Sequence, residues 1–73
     1  MLTVYSKDNC QPCRMVKHWL DREGIDYIEK DATEHVDYLS GLGYRQAPVT
    51  VTEDGGSFYG FDISKLQKIK ESS

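Results

Sequence analysis

Seventy-three residues suffice for one domain, spanning 1–73, whose thin core buries roughly 60% of the unfolded surface. Nine Lys and Arg against twelve Asp and Glu give a formal charge of −3, and the aromatics are not interleaved with a basic cluster, which argues against nucleic acid as a partner. No apolar run approaches the roughly 18 residues of a membrane span and no charged-then-apolar leader follows Met1, so the expectation is a cytoplasmic protein with no membrane partner.

The chain opens with Leu2-Thr3-Val4-Tyr5, whose β-branched and aromatic side chains predict a buried first strand. From Pro12 to about Glu23 the apolar spacing changes to that of a helix. Val16, Trp19 and Leu20 share a face with Cys13, while Lys17, Asp21 and Arg22 fall elsewhere. Pro12 suits a first helical turn and Gly24 a helix C-cap. Ile25 to Glu29 reads as a second strand. Asp31 or Thr33 is then available to cap a second helix that carries Val36, Leu39 and Leu42 and ends near Gly41 and Gly43. Val49 to Thr52 is a third strand, Glu53-Asp54-Gly55-Gly56 a hairpin turn, and Ser57 to Tyr59 the returning strand. Asp62 suits the N-cap of a last helix with Ile63, Leu66 and Ile69. The order is β-α-β-α-β-β-α. Its two strand–helix–strand steps predict parallel pairing by right-handed crossovers, and its hairpin an antiparallel half. The expected product is an α/β fold with a four-stranded mixed sheet and three helices.

The residues between the first strand and the first helix carry the chemistry. Cys10 and Cys13 enclose Gln11-Pro12, and a disulfide between them closes a loop too small to hold a fold together. In a reducing compartment such a pair is catalytic or metal-binding. A Cys-x-x-Cys where a strand turns into a helix is a signature of thiol–disulfide exchange. Cys10 is expected at the helix cap, where free backbone N–H groups and the helix dipole favour an anion. Such a site takes a thiol from about 8.5 towards about 7 or lower. Cys10 is then the attacking sulfur and Cys13, one turn into the helix, the shielded resolving one. Lys7 adds a positive charge three residues before Cys10 and is a candidate support for the thiolate, or a solvated surface charge. Asp8 opposes it.

A zinc site is the competing reading, but it needs a second cysteine pair or matched histidines, and only His18 and His35 remain. Ala47-Pro48 precedes the third strand. On statistics alone the bond is expected trans; if cis, residues 46–47 offer backbone groups that dock an extended partner beside Cys10. Tyr44, Gly60 and Phe61 lie on loops near the same end, and Tyr44 and Phe61 serve either partner docking or plain packing. Trp19 and Tyr5 read as structural. Arg14 and Lys17 face outward as a solvated surface or to steer an acidic partner.

Three segments together resemble one family: Val4-Tyr5-Ser6-Lys7 through Cys10 and Cys13, Leu42-Gly43-Tyr44-Arg45-Gln46-Ala47-Pro48-Val49, and Gly60-Phe61. They look like the NrdH-redoxins, glutaredoxin-like proteins of the thioredoxin fold, and the resemblance runs along essentially the whole chain. It implies a redox pair at Cys10 and Cys13, a cis proline at Pro48 with Ala47 as its docking neighbour, and partner contacts at Gln11 and Pro12. It implies no bound cofactor beyond the redox-active disulfide. Electrons are expected from NADPH through thioredoxin reductase and pass to the large subunit of class Ib ribonucleotide reductase, for deoxyribonucleotide synthesis. The carrier is expected to be a monomer. The chain departs from the family where Trp-Ser-Gly-Phe-Arg-Pro is common, having Phe58-Tyr59-Gly60-Phe61-Asp62-Ile63 instead. Asp62 falls where glutaredoxins carry an acidic residue that helps hold glutathione, so a glutathione-dependent glutaredoxin is the alternative. A metal-binding module without catalysis is a third reading.

Overall fold

A computed structural model describes residues 2–72. Strand β1 (Leu2–Ser6) leads into helix α1 (Gln11–Arg22), then β2 (Tyr27–Asp31), a single 3-10 turn at Ala32–Glu34, and α2 (Val36–Gly41). The chain finishes with β3 (Val49–Val51), β4 (Ser57–Tyr59) and α3 (Ile63–Ser72). The sheet order is β2-β1-β3-β4, with β1 and β2 parallel and the other two pairings antiparallel. This is the four-stranded mixed sheet with three helices that the element order predicts.

The expected parallel pairing holds only for the first strand–helix–strand step. After α2 the chain enters on the far side of β1 and runs antiparallel to it. Side-chain polarity accounts for this placement. In β2 every residue after Tyr27 is exposed, whereas Val49 and Thr50 of β3 are fully buried, so β3 takes the inner position and β2 the edge.

Helix α1 buries the predicted stripe of Cys13, Val16, Trp19 and Leu20. Its end sets where β2 begins. The amide of Gly24 (φ 71°) donates to the Asp21 carbonyl and that of Ile25 to the Leu20 carbonyl, a Schellman closure. Ile25 is therefore spent on the cap and on packing against the core beside Leu20, and β2 starts at Tyr27, two residues later than its pattern suggests. Helix α2 closes the same way: Gly43 (φ 93°) donates to Ser40 and Tyr44 to Leu39. With only six residues, α2 ends before Leu42, which falls on its C-cap. Leu39 is buried, while Val36 and Leu42 remain exposed.

Two cores result. Leu2 and Val4 pack with Val16, Trp19, Leu20, Phe58 and Leu66 under α1 and α3. Tyr5, Cys10, Cys13, Ala32, Leu39, Ala47 and Val49 form the other, on the α2 side and at the end of the sheet where β1 stops. The period-2 alternation of β1 divides them, sending Val4 to one face and Tyr5 to the other. A salt bridge from Lys70 to Glu23 (2.6 Å) ties α3 to the end of α1.

Candidate redox site

The site is built at the C-terminal end of β1. Asn9 takes a left-handed backbone (φ 55°), a conformation asparagine tolerates better than most residues, and turns the chain into α1. Cys10 follows as the N-cap in extended conformation (φ −116°, ψ 106°), and its Sγ accepts the Cys13 backbone N–H at 3.2 Å. One helix N-terminal donor that has no intrahelical partner is thereby aimed at the sulfur. The two cysteines form a disulfide, with Cα atoms 5.2 Å apart.

The sulfurs differ in access. Cys13 is fully buried and Cys10 is 6% exposed. Cys10 is the less buried of the two, yet far more recessed than a freely exposed thiol. A neighbouring stretch of surface comes up to its Sγ.

That surface is the segment between α2 and β3. The Ala47–Pro48 bond is cis, against the residue statistics and in line with the family resemblance. The Ala47 carbonyl oxygen lies 3.8 Å from Cys10 Sγ, Ala47 itself is buried, and Pro48 is fully buried. Tyr44 packs against the same core as the cysteines, and its hydroxyl pairs with Ser57 Oγ at 2.9 Å. Arg45 and Gln46 are exposed, and Gln46 Oε1 accepts from the Tyr59 hydroxyl at 3.0 Å.

Of the other residues singled out in the sequence, Gln11 and Pro12 are exposed in the first turn of α1, and Gln11 Oε1 accepts from Arg14 Nη2 at 3.0 Å. The Gly60 amide donates to the Pro48 carbonyl (2.9 Å), lacing the end of β4 to the cis proline. Phe61 goes elsewhere: it packs half-buried against the core under α1 and α3, apart from the sulfurs. Lys7 is exposed and lines a shallow cleft of about 290 Å3 with Asp8, Lys17 and Glu29. Asp62 Oδ1 caps α3 by accepting from the Lys65 amide.

Three arrangements carried little local signal. Glu29 Oε2 accepts from both Ser6 Oγ and Lys17 Nζ, each at 2.7 Å, pinning α1 across β1 to β2. The Lys17 bond, with help from Ser6, holds the Glu29 carboxyl below its usual pKa. Tyr5 stacks edge-on against His35 (5.4 Å) and tilts against Tyr38 (5.6 Å), and burial pushes its phenol pKa up. The Tyr59–Gln46 pair joins two segments that sequence alone leaves unrelated.

Among the described residues no three His, Cys, Asp or Glu side chains gather as a metal site. No helix is long and apolar enough to cross a membrane. A broad groove of about 860 Å3 opens at the opposite end of the sheet, between the α1–β2 turn, the hairpin and α3, and none of the predicted site residues lines it.

Comparison with known proteins agrees with this geometry. The glutaredoxin family model matches residues 2–55. The chain is 43% identical to the glutaredoxin-like protein NrdH of Lactococcus lactis subsp. cremoris, over 94% of this chain and 99% of that one. Its fold superposes on that of the glutaredoxin-like NrdH-redoxin of Escherichia coli with a TM-score of 0.85 and 25% identity, covering 93% and 92% of the two chains. A buckwheat glutaredoxin in complex with glutathione matches with a TM-score of 0.74 and 26% identity, over 94% of this chain and 70% of that one. With a disulfide-capable Cys-x-x-Cys at the head of α1, a thioredoxin-type sheet and near full-length identity to NrdH, the chain belongs to the glutaredoxin family and, within it, to the NrdH-redoxins.

Proposed function

We propose that this protein is a cytoplasmic, monomeric dithiol electron carrier, reduced by thioredoxin reductase at the expense of NADPH and reducing the large subunit of class Ib ribonucleotide reductase. The observation that carries the redox step is the position of Cys10 Sγ, 3.2 Å from the Cys13 N–H and 3.8 Å from the Ala47 carbonyl. The near full-length identity to NrdH supports the choice of partners.

In the reduced protein the Cys10 thiolate is favoured by the Cys13 N–H and the N-terminal end of α1, with Lys7 adding a positive charge nearby. A partner lays an extended segment along Gln46 and Ala47, with Gln11, Pro12 and the Tyr44–Gly60 side of the site as its flanks. Cys10 attacks one sulfur of the partner disulfide. The Cys10–partner S–S bond forms, and the partner's second sulfur leaves as a thiolate and takes up a proton. Cys13 then loses its proton and attacks Cys10 Sγ, which closes the Cys10–Cys13 disulfide and releases the first partner sulfur as a thiol. Two electrons and two protons have moved to the partner. The reductase's dithiol reverses the sequence, so the disulfide itself is the redox group and no bound cofactor is required.

The test is recycling of the oxidised protein with NADPH in two reactions, one with thioredoxin reductase and one with glutathione and its reductase. Turnover with thioredoxin reductase alone supports the proposal. Turnover with glutathione alone would replace it with the second reading, a glutathione-dependent glutaredoxin, which the likeness to the buckwheat complex and the acidic Asp62 favour. Stoichiometric zinc with no disulfide reduction would point instead to a metal-binding module. Cys13→Ser is expected to accumulate a mixed disulfide with the acceptor, and Cys10→Ser none.

A further inference from the structure

The segment that offers Ala47 to a partner is anchored unevenly. At one end the Tyr44 amide is fixed by the α2 cap (2.9 Å to the Leu39 carbonyl) and the Tyr44 hydroxyl by Ser57 (2.9 Å). At the other, Ala47 and Pro48 are buried and the Pro48 carbonyl accepts from Gly60. Between these anchors Arg45 and Gln46 are exposed, and Gln46 is held through its side chain by Tyr59. The two hydroxyl contacts form a set. Residues 57 and 59 of β4 lie opposite Val51 and Val49, so their side chains share the face of the cysteine core. From that face they reach residues 44 and 46, thirteen positions back in each case.

Tyr59 is a large aromatic left 48% exposed at the end of an edge strand. Burial of its ring therefore does not account for it, whereas its hydroxyl reaches the residue next to the carbonyl that approaches Cys10.

We propose that Tyr59 is a positioning residue for partner docking: through its hydrogen bond to Gln46 it holds the 45–47 backbone, which bends at Gln46 and Ala47 ahead of the cis proline, in the form that a partner segment meets, and its exposed ring edge borders the path of that segment. The inference rests on the dithiol-carrier reading and deepens it. It gives the partner a chemistry, an extended polypeptide around a disulfide, as opposed to a small disulfide that needs only the sulfur. A small disulfide makes few backbone contacts with residues 45–47 and is expected to ignore Tyr59.

The experiment compares two mixed disulfides of thionitrobenzoate, one on the cysteine of a short extended peptide and one on free cysteine, with release of the coloured thiolate followed by stopped flow. Its readout is the ratio of the peptide rate constant to the free-cysteine rate constant. Tyr59→Phe, which keeps the ring and removes the hydroxyl, is expected to lower that ratio about two- to ten-fold, the worth of one neutral hydrogen bond. Gln46→Ala is expected to lower it similarly, and adding Tyr59→Phe to Gln46→Ala to lower it no further, since both act through one bond. An unchanged ratio, or additive effects of the two substitutions, would overturn the proposal while leaving the carrier reading intact. A wild-type protein inert towards both substrates would overturn the carrier reading and the inference with it.

Discussion

Thr50 offers a direct test of the packing that holds the site in place. It is fully buried in the middle of β3, facing Val4 on one side and Phe58 on the other, and its Oγ1 has no hydrogen-bond partner. Directly opposite residues share a face, so the hydroxyl projects into the Val4–Phe58 core under α1 and α3. Burying a hydroxyl without a partner costs about 1–3 kcal/mol in protein mutational series. Thr50→Val keeps the shape and the β-branching and replaces that oxygen with a methyl group. The expected outcome is a gain of about 1–2 kcal/mol, which for a chain of this size raises the Tm by about 4–8 °C per kcal/mol. Urea denaturation of the oxidised protein measures it, as a higher midpoint at unchanged slope. Thr50→Ala, which removes the methyl as well, is expected to lose stability through the cavity it leaves. A Thr50→Val variant less stable than wild type would refute the reasoning, because it would mean the hydroxyl makes a bond worth more than its desolvation.

The Glu29 carboxyl, held below its usual pKa first by Lys17 and then by Ser6, contributes stability above its unfolded value near 4.5 and loses it as pH falls through the lower folded value. Glu29→Gln should therefore narrow its gap from wild type in urea midpoints between about pH 6 and about pH 3. The gap itself stays under about 1 kcal/mol because Glu29 is 47% exposed. Gly24→Ala has open space around the new Cβ but a backbone at φ 71°, so a loss of about 1 kcal/mol from the closure of α1 is expected in the same assay. An unchanged midpoint would show that the turn relaxes to another backbone form. For Cys13→Ser, non-reducing gels should show a covalent adduct with the acceptor that dissolves on adding dithiothreitol, and its absence would count against Cys10 as the attacking sulfur.

What the sequence made legible was local in origin. The Cys13–Val16–Trp19–Leu20 stripe, the Gly24 cap, the Asp62 cap and the turn at residues 53–56 are all written within a few residues of where they act. In the turn, Asp54 accepts from the Gly56 amide and from Thr52. The Cys10 N-cap is equally local, since its Sγ accepts the Cys13 amide three residues on. The misread features turn on where helices close and on how strands pair. The pattern Ile25–Glu29 looks like a strand, but the Schellman closure claims Ile25 and sets the register with Leu2 opposite Tyr27. Val36 and Leu42 look like core residues until α2 proves too short to bury more than Leu39. The inner position of β3 follows from the contrast between a charged β2 and an apolar β3, a comparison of two strands that neither states alone.

The same division bears on the proposed choice of partners. The N-cap contact at Cys10 is set within the Cys-x-x-Cys segment itself, by the Cys13 amide. The 44–48 segment is instead tied by hydrogen bonds to β4 and the turn after it, where this chain departs from the common Trp-Ser-Gly-Phe-Arg-Pro pattern. Three of the four departures have a structural use: Phe58 fills the core, Tyr59 bonds to Gln46, and Asp62 caps α3. Gly60, which the pattern keeps, binds the Pro48 carbonyl. Substitution in this stretch therefore alters the surface a partner meets while leaving the Cys10 N-cap untouched. On this argument, exchanging 58–63 for the common pattern should change which proteins are reduced well before it changes the reactivity of Cys10 towards a small disulfide.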